Sequence, residues 1–365
     1  MLEGDDVIAC FRAASAQFSA AFRLADLNND NYESIPETIK YLTNCCDLEF
    51  PVLVPDRSLF SFSNGQYDAA ADTFHFEPGS LTRDRASIRH FDIALDKDMW
   101  EQQGENWRDI PTPLFDSIFE HQGFEPDTIE LVYAMLGRLL FPVNEYDQWQ
   151  VAPFFKGVAG CGKSTVAAIV SHWYPPQFVS AISCNMEDRF GLSMIVDTYM
   201  TWCTEVTSNF PLPRGIWQSM VTGEPVVVPR KNKSALQGPW KIPMAMAGNE
   251  LFGYEDKSGS VLRRTVMFPM RNSVDRSKAD PMLLEKLKAD PAPLLVKCTR
   301  AYQELIVLHG DKSFWNGPAT GQVHAWHKAL QDEVDTIYAF FRSKVVTITL
   351  DYERDYVLEP DLNEG

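Results

Sequence analysis

The segment that most constrains this chain is Gly157-Val158-Ala159-Gly160-Cys161-Gly162-Lys163-Ser164. It fits the pattern G-x-x-x-x-G-K-[ST], and its surroundings fit as well. Val151-Ala152-Pro153-Phe154-Phe155 before it reads as a buried strand, and Thr165 to His172 after it reads as a helix. Glycines at these spacings let successive backbone N–H groups turn inward around phosphate oxygens. The N-terminus of the following helix adds partial positive charge. Lys163 then reaches the β- and γ-phosphates, and the Ser164 hydroxyl ligates Mg²⁺. The other reading, a glycine-rich turn that binds nothing, is outweighed by the strand before and the helix after. Gly157, Val158, Ala159, Gly160, Cys161, Gly162, Lys163, Ser164 and Thr165 are therefore the expected ATP contacts, in an α/β fold.

The bulk properties set limits on what such a loop serves. A net charge of −17 argues against a protein that neutralises DNA over its whole surface, but leaves room for a local basic site. Apolar residues at 45% and aromatics at 12% allow a sizeable core. The seven cysteines form no C-x-x-C pair, and the adjacent Cys45-Cys46 suits neither a metal nor a disulfide; they read as buried thiols of a reducing, intracellular compartment. No stretch is long and apolar enough to span a membrane, and the acidic start, Met1 to Asp6, is no secretory or transit signal.

Four regions are expected. Residues 1–110 form a mixed accessory region, with a helix over Val7 to Leu27. Its strands are Leu59 to Ser63, Gln66 to Asp68 and Thr73 to Phe76, the first two joined at an Asn64-Gly65 turn. Residues 111–150 are helical, with Pro113 and Glu125-Pro126-Asp127 as helix starts and one apolar face made by Ile129, Val132, Tyr133, Leu136, Leu139 and Leu140. Residues 151–275 alternate strands and helices and hold the motifs. Residues 276–365 are mainly helical, over Met282 to Lys288, Pro291 to Leu308 and Val323 to Arg342, with Lys344 to Leu350 as a last strand.

Four further groups in the third region carry chemistry, each with a plainer alternative. Tyr199 to Glu205 reads as a strand ending in a carboxylate; Glu205 can orient water and support a metal, or is a solvated strand end. Residues 226–247 read as a strand, a basic loop and a returning strand. The loop, Arg230-Lys231-Asn232-Lys233, suits sequence-blind phosphate contacts, or is a solvated turn. Asn249 can sense a γ-phosphate and hold the attacking water, or is an ordinary turn residue. Arg263 and Arg264, just before the strand Thr265 to Phe268, can complete a neighbour's ATP site, or form a surface pair that binds carboxylates.

In this order the motifs resemble those of superfamily 3 helicases, an AAA+-like group of DNA viruses, phages and plasmids. The likeness rests on GVAGCGKS, the strand ending in Glu205, WQSMVTGEPVVVPRKNKS, PMAMAGNE and LRRTVMF. Together with Leu59 to Phe76 and the tail around Leu283 to Leu287 and Ala301 to Leu305, it extends to the helicase part of poxvirus-type primase-helicases. It covers about residues 55–345.

The resemblance implies a P-loop AAA+-like ATPase core that uses ATP and Mg²⁺ as cofactors. Lys163, Glu205, Asn249 and Arg264 (or Arg263) are the implied catalytic residues, Ser164 and Glu205 the metal site, and Arg230 to Lys233 the DNA grip. It implies a homo-hexameric ring that draws single-stranded or forked DNA through its channel, with a primase or other replication protein as partner, at viral replication sites in host cytoplasm or nucleus.

Three positions depart from the family pattern. Thr204 stands where a second acid is usual, Glu224 where aspartate is commoner, and Asn232 where some relatives have histidine. Residues 1–58 hold no acidic primase motif, so the expectation is a stand-alone helicase, a helicase fragment or one half of a split gene. The alternatives are a DNA packaging or remodelling ATPase that does not unwind, and a nucleotide-binding loader scaffold. A small-molecule kinase stands further off.

Overall fold

A computed structural model describes residues 54–76, 85–95 and 106–334, without 184–185, 187–190, 209, 232, 252, 255–258, 276 and 278. The helix read at Val7 to Leu27, the Cys45-Cys46 pair, the end of the helix read at Val323 to Arg342 and the strand read at Lys344 to Leu350 lie outside the described residues.

Two sheets and a hairpin are present. The first sheet holds β1 (Val54–Phe62), β2 (Gly65–Asp68), β3 (Thr73–His75) and β4 (Arg85–Phe91) in the order β3-β2-β1-β4. The Asn-Gly signal marks its hairpin, with Phe62 facing Gly65 and Phe60 facing Tyr67. Phe60, Phe62, Tyr67 and Phe74 are buried in the main core.

The second sheet is parallel and five-stranded. Its strands are β5 (Ala152–Gly157), β6 (Val179–Ala181), β7 (Met200–Val206), β10 (Met244–Gly248) and β11 (Thr265–Met270), in the order β11-β5-β10-β7-β6. Parallel sheets are covered on both faces, so their strands are apolar runs, as in Pro153-Phe154-Phe155 and Met244-Ala245-Met246-Ala247. Successive side chains point to opposite faces. Phe155, Trp202, Ala245, Ala247 and Phe268 accordingly enter one core cluster, and Phe154, Cys203, Met244 and Met246 the other.

The first face packs against α1 (Pro113–Glu120), α2 (Pro126–Gly137), α3 (Lys163–Ser171) and α6 (Ala292–His309). The second packs against α4 (Arg214–Thr222) and the foot of a two-stranded hairpin, β8 (Pro225–Arg230) and β9 (Lys233–Pro239). Two further helices, α5 (Leu283–Ala289) and α7 (Gly321–Val334), follow the sheet on either side of α6 in sequence. Cys161, Cys203 and Cys298 are free and buried. Among the described residues no helix is long and apolar enough to cross a membrane.

Three sequence readings change. The returning strand expected up to residue 247 is two strands. Lys233–Pro239 pairs with β8, and after Trp240 the chain crosses to the main sheet as β10. The crossing is fixed by Trp240, whose N–H donates to the Glu224 carbonyl and whose indole donates to Ile242 O. Helix α2 is buried from Leu131 through Gly137 and not along a single face, because α6 packs closely on its far side; a Cβ on Gly137 would stand 2.0 Å from the Cys298 carbonyl oxygen. Strand β6, three residues long, carries no sequence pattern of its own.

Candidate nucleotide site

Ligands of open parallel sheets lie beyond the carboxyl ends of the strands, where the strand order reverses. That point is β5, because the chain leaves it for β6 on one side and returns as β11 on the other. The glycine-rich loop starts there. Gly157 faces Met270 of β11, and a Cβ on it would stand 1.8 Å from the Met270 carbonyl oxygen, so only glycine fits. Gly160 and Gly162 have φ of +75° and +102°, left-handed values that turn the loop back into α3.

Lys163 opens α3, and its Nζ donates to the carbonyls of Gly157 at 2.6 Å and Val158 at 2.7 Å. Cys161 Sγ lies 3.4 Å from the same ammonium. The lysine charge is thus held within the loop.

The loop is braced from outside by residues that sequence reading missed. Val274 N donates to Gly160 O at 3.0 Å. Gln122, just after α1, donates to Cys161 O at 3.3 Å and exchanges hydrogen bonds with the Asn272 backbone, while the Asn272 side chain donates to His121 O. These amides meet only once the strands are placed, and no spacing rule announces them.

A cavity of ≈ 980 Å³ opens over the loop and takes in Thr204, Glu205 and Asn249. The three sequence-derived groups sit at the ends of neighbouring strands β5, β10 and β7, with Asn249 in the middle. Glu205 and Asn249 are exposed to the cavity. Behind them Ser208 N donates to Glu250 Oε2 at 3.3 Å and Gly253 N to Ser208 O at 3.1 Å, which ties the two strand ends together. The opposite wall is apolar, with Leu114, Ile118, Leu283 and Leu284. Asp280 stands on that side, and hydrogen bonds from Lys286 and the Met282 amide hold its carboxyl below the usual range.

No group of three or more His, Cys, Asp or Glu residues among the described residues could hold a metal ion. The side-chain oxygens that line the cavity include those of Ser164, Thr165, Thr204 and Glu205, hard donors. Such a set suits Mg²⁺ bound mainly by phosphates and water.

Arg263 and Arg264 are not brought to this cavity. They precede β11, whose first residue pairs with Ala152 and whose last pairs with Gly157, so they lie at the other end of the sheet. Six residues at roughly 3.3 Å each put them about 20 Å from the loop of their own chain. Arg264 Nη1 donates to Ser260 O at 2.9 Å within its turn. The Arg263 side chain is exposed, and its carbonyl accepts from Trp315 Nε1 at 2.6 Å.

The basic hairpin is separate again. Lys231 and Lys233 are exposed near its tip, Arg230 Nε donates to Ser234 O at 3.3 Å, and Asn232 lies outside the described residues. Val226 and Val228 anchor the foot beside Trp217 and Trp240.

Residues 155–264 match a family described as one of unknown function, DUF5906. No curated protein matches the chain. Among solved structures, three of the NrS-1 C-terminal region are similar. One, in apo form, has 15% identity and a TM-score of 0.45, covering 70% of this chain and 64% of that one. A second, an apo A form, has 14% identity and a TM-score of 0.42 over 64% and 58%. A third, also an apo A form, has 16% identity and a TM-score of 0.40 over 51% and 44%. The chain thus spans from under half to just under two thirds of these three solved chains.

Proposed function

We propose that this chain is an ATP-hydrolysing DNA translocase of the superfamily 3, AAA+-like kind, acting as a helicase in viral genome replication. The observation that carries this reading is the convergence of the phosphate loop, Asn249 and Glu205 on one cavity at the ends of adjacent parallel strands.

Bound ATP with Mg²⁺ supplies the phosphoanhydride to be broken and neutralises its charge. The loop amides and Lys163 bind the phosphate oxygens, and the Ser164 hydroxyl holds the metal. Glu205 orients a water and draws off its proton, and Asn249 holds that water in line. The catalysis is by positioning and electrostatics, with no covalent intermediate on the protein.

Since Arg263 and Arg264 lie about 20 Å from their own loop, they act on a neighbouring subunit. That requirement fits a ring, for which we propose a homo-hexamer. Arg230, Lys231, Asn232 and Lys233 contact the backbone of single-stranded or forked DNA in the channel. A primase or other replication protein is the proposed partner. A nucleotide-binding loader scaffold is the second reading, favoured by Thr204, which lines the cavity at the position where the superfamily 3 pattern that the motifs resemble has a second acid.

The test is ATP hydrolysis with and without single-stranded DNA, at fixed salt and several protein concentrations. Turnover should rise with DNA and more than linearly with protein, and Lys163→Ala should abolish it. Mixing Lys163→Ala subunits with Arg263→Ala/Arg264→Ala subunits should restore part of it, because intact sites form between unlike subunits. Full activity of Lys163→Ala would overturn the reading.

A further inference from the structure

The two arginines that precede β11 are held differently. Arg264 is half-buried, and its Nη1 donates to Ser260 O at 2.9 Å, inside the turn. Arg263 is exposed, and among the described residues its guanidinium has no hydrogen bond or ion pair. Its backbone, in contrast, is fixed on both sides. Arg263 N donates to Gly259 O at 3.0 Å, and Arg263 O accepts from the Trp315 indole N–H at 2.6 Å. The turn is also tied to α4, where Gln218 Nε2 donates to Ser260 Oγ at 2.7 Å. A guanidinium without an intramolecular partner, on a clamped backbone, is a group presented outward.

Trp315 is itself built into the fold. The preceding Phe314 is buried in the main core, edge-on to Trp149 at 6.0 Å. His327 of α7 lies over the Trp315 ring, with centroids 3.8 Å apart. Val323, His327 and Leu330 recur at helical spacing, and Val323 and Leu330 are buried, so this face of α7 is turned to the core. The start of α7 is clasped by Gln322, which donates to Gly123 O at 3.1 Å and accepts from Glu125 N at 3.0 Å. The indole N–H thus reaches Arg263 from a wall with little freedom. The carbonyl it meets is at the surface, where water would satisfy it equally well, so what the indole adds is placement.

We propose that Arg263 is the arginine presented to the neighbouring subunit's nucleotide and that Trp315 is its positioning residue. The assignment rests on the reading of this chain as an ATPase whose arginine acts between subunits. Arg264 braces the turn from within. A finger stabilises charge only where its guanidinium meets the transferring phosphate, and a shift of about 1 Å in its base costs up to about 10²-fold in rate.

The experiment measures ATP hydrolysis, and binding of a fluorescent ATP analogue, in the full chain. Trp315→Phe keeps a ring for His327 and removes the donor. It should lower kcat about tenfold, with KM and analogue affinity within about twofold of wild type, because its own loop is intact. Arg263→Ala should lose about 10³-fold in kcat. Lys163→Ala subunits are expected to be inactive themselves but carry an intact Trp315 and Arg263. Adding them should raise turnover per Trp315→Phe subunit, whereas a lesion that only loosened the fold would gain nothing from a partner's arginine. Wild-type kcat in Trp315→Phe, lost binding of the analogue, or a deficit that Lys163→Ala subunits do not relieve overturns the positioning role while leaving the finger in place. An Arg263→Ala chain as active as wild type, with the loss found in Arg264→Ala instead, overturns the assignment to Arg263. Wild-type rates in both arginine variants, or no turnover in the unaltered chain, remove the reading beneath it and this proposal with it.

Discussion

Replacing Asp147 by alanine tests how the strand beneath the site is anchored. The buried Asp147 carboxylate accepts from Arg138 Nε at 2.7 Å and Nη2 at 3.0 Å, from the Tyr302 hydroxyl at 2.6 Å and from Trp149 N at 2.9 Å. Arg138 Nη1 donates to Val151 O at 2.7 Å, one residue before β5. Burial works against the Asp147 charge, but Arg138 and the hydroxyl and amide donors outweigh it and hold the carboxyl below its ordinary value.

Alanine would leave the Arg138 guanidinium, its side chain 7% exposed, without a counter-charge. Stranding one member of a buried pair costs about 3–5 kcal/mol, a large share of a total on the order of 5–15 kcal/mol. Asp147→Asn keeps the shape and an acceptor and should lose less. A depressed carboxylate stabilises the fold above its unfolded pKa and ceases to do so as pH falls through the folded value. The gap between wild type and Asp147→Asn should therefore stay constant from pH 7 to about 5 and narrow only below about pH 4. Urea unfolding followed by tryptophan fluorescence measures both effects. A loss under about 1 kcal/mol for Asp147→Ala at pH 7 would refute the reasoning.

Three other outcomes are expected. Gly157→Ala should abolish binding of a fluorescent nucleotide, because its Cβ meets the Met270 carbonyl and must part β5 from β11, at about 1–3 kcal/mol in a denaturant melt; binding at wild-type strength would contradict the close approach. His327, stacked on Trp315, is lowered to about 4 by burial and then by His324, so the unfolded chain binds the extra proton and stability falls as pH drops from about 6.5 toward 4. After discounting for its partial exposure this is about 1–2 kcal/mol, and a His327→Gln chain melting with the same pH dependence as wild type would exclude it. Lys231→Ala with Lys233→Ala should keep basal hydrolysis, lose stimulation by single-stranded DNA and lower the salt slope of binding by about 1.4; unchanged affinity at fixed salt would remove the hairpin from the DNA path.

Much of the site was legible because it is written in consecutive residues. The loop from Gly157 to Ser164 needs only a strand before and a helix after, and Glu205 and Asn249 each close an apolar run. What stayed hidden depends on contacts between distant segments. Gln122 and Asn272 are 150 positions apart and look like any two surface amides until β11 lies beside β5. The split of residues 226–247 was missed because Lys233–Pro239 is a mostly exposed strand with little apolar patterning, while the apolar run at Met244 to Ala247 drew the reading. The position of Arg263 and Arg264 was legible as sequence but not as distance; only the register of Thr265 with Ala152 puts them far from the loop they follow.

The hairpin of β8 and β9 pairs with neither of the larger sheets, and the core cluster holds it at Val226, Val228 and Leu236, beside Trp240. Its outer half is therefore an interchangeable fitting. Residues at the tip can be exchanged for others of different charge or length without retuning the core that holds the candidate nucleotide cavity, since little beyond the hairpin leans on them. Selection, or an engineer, can alter the charge and reach of this tip while leaving the parallel sheet untouched.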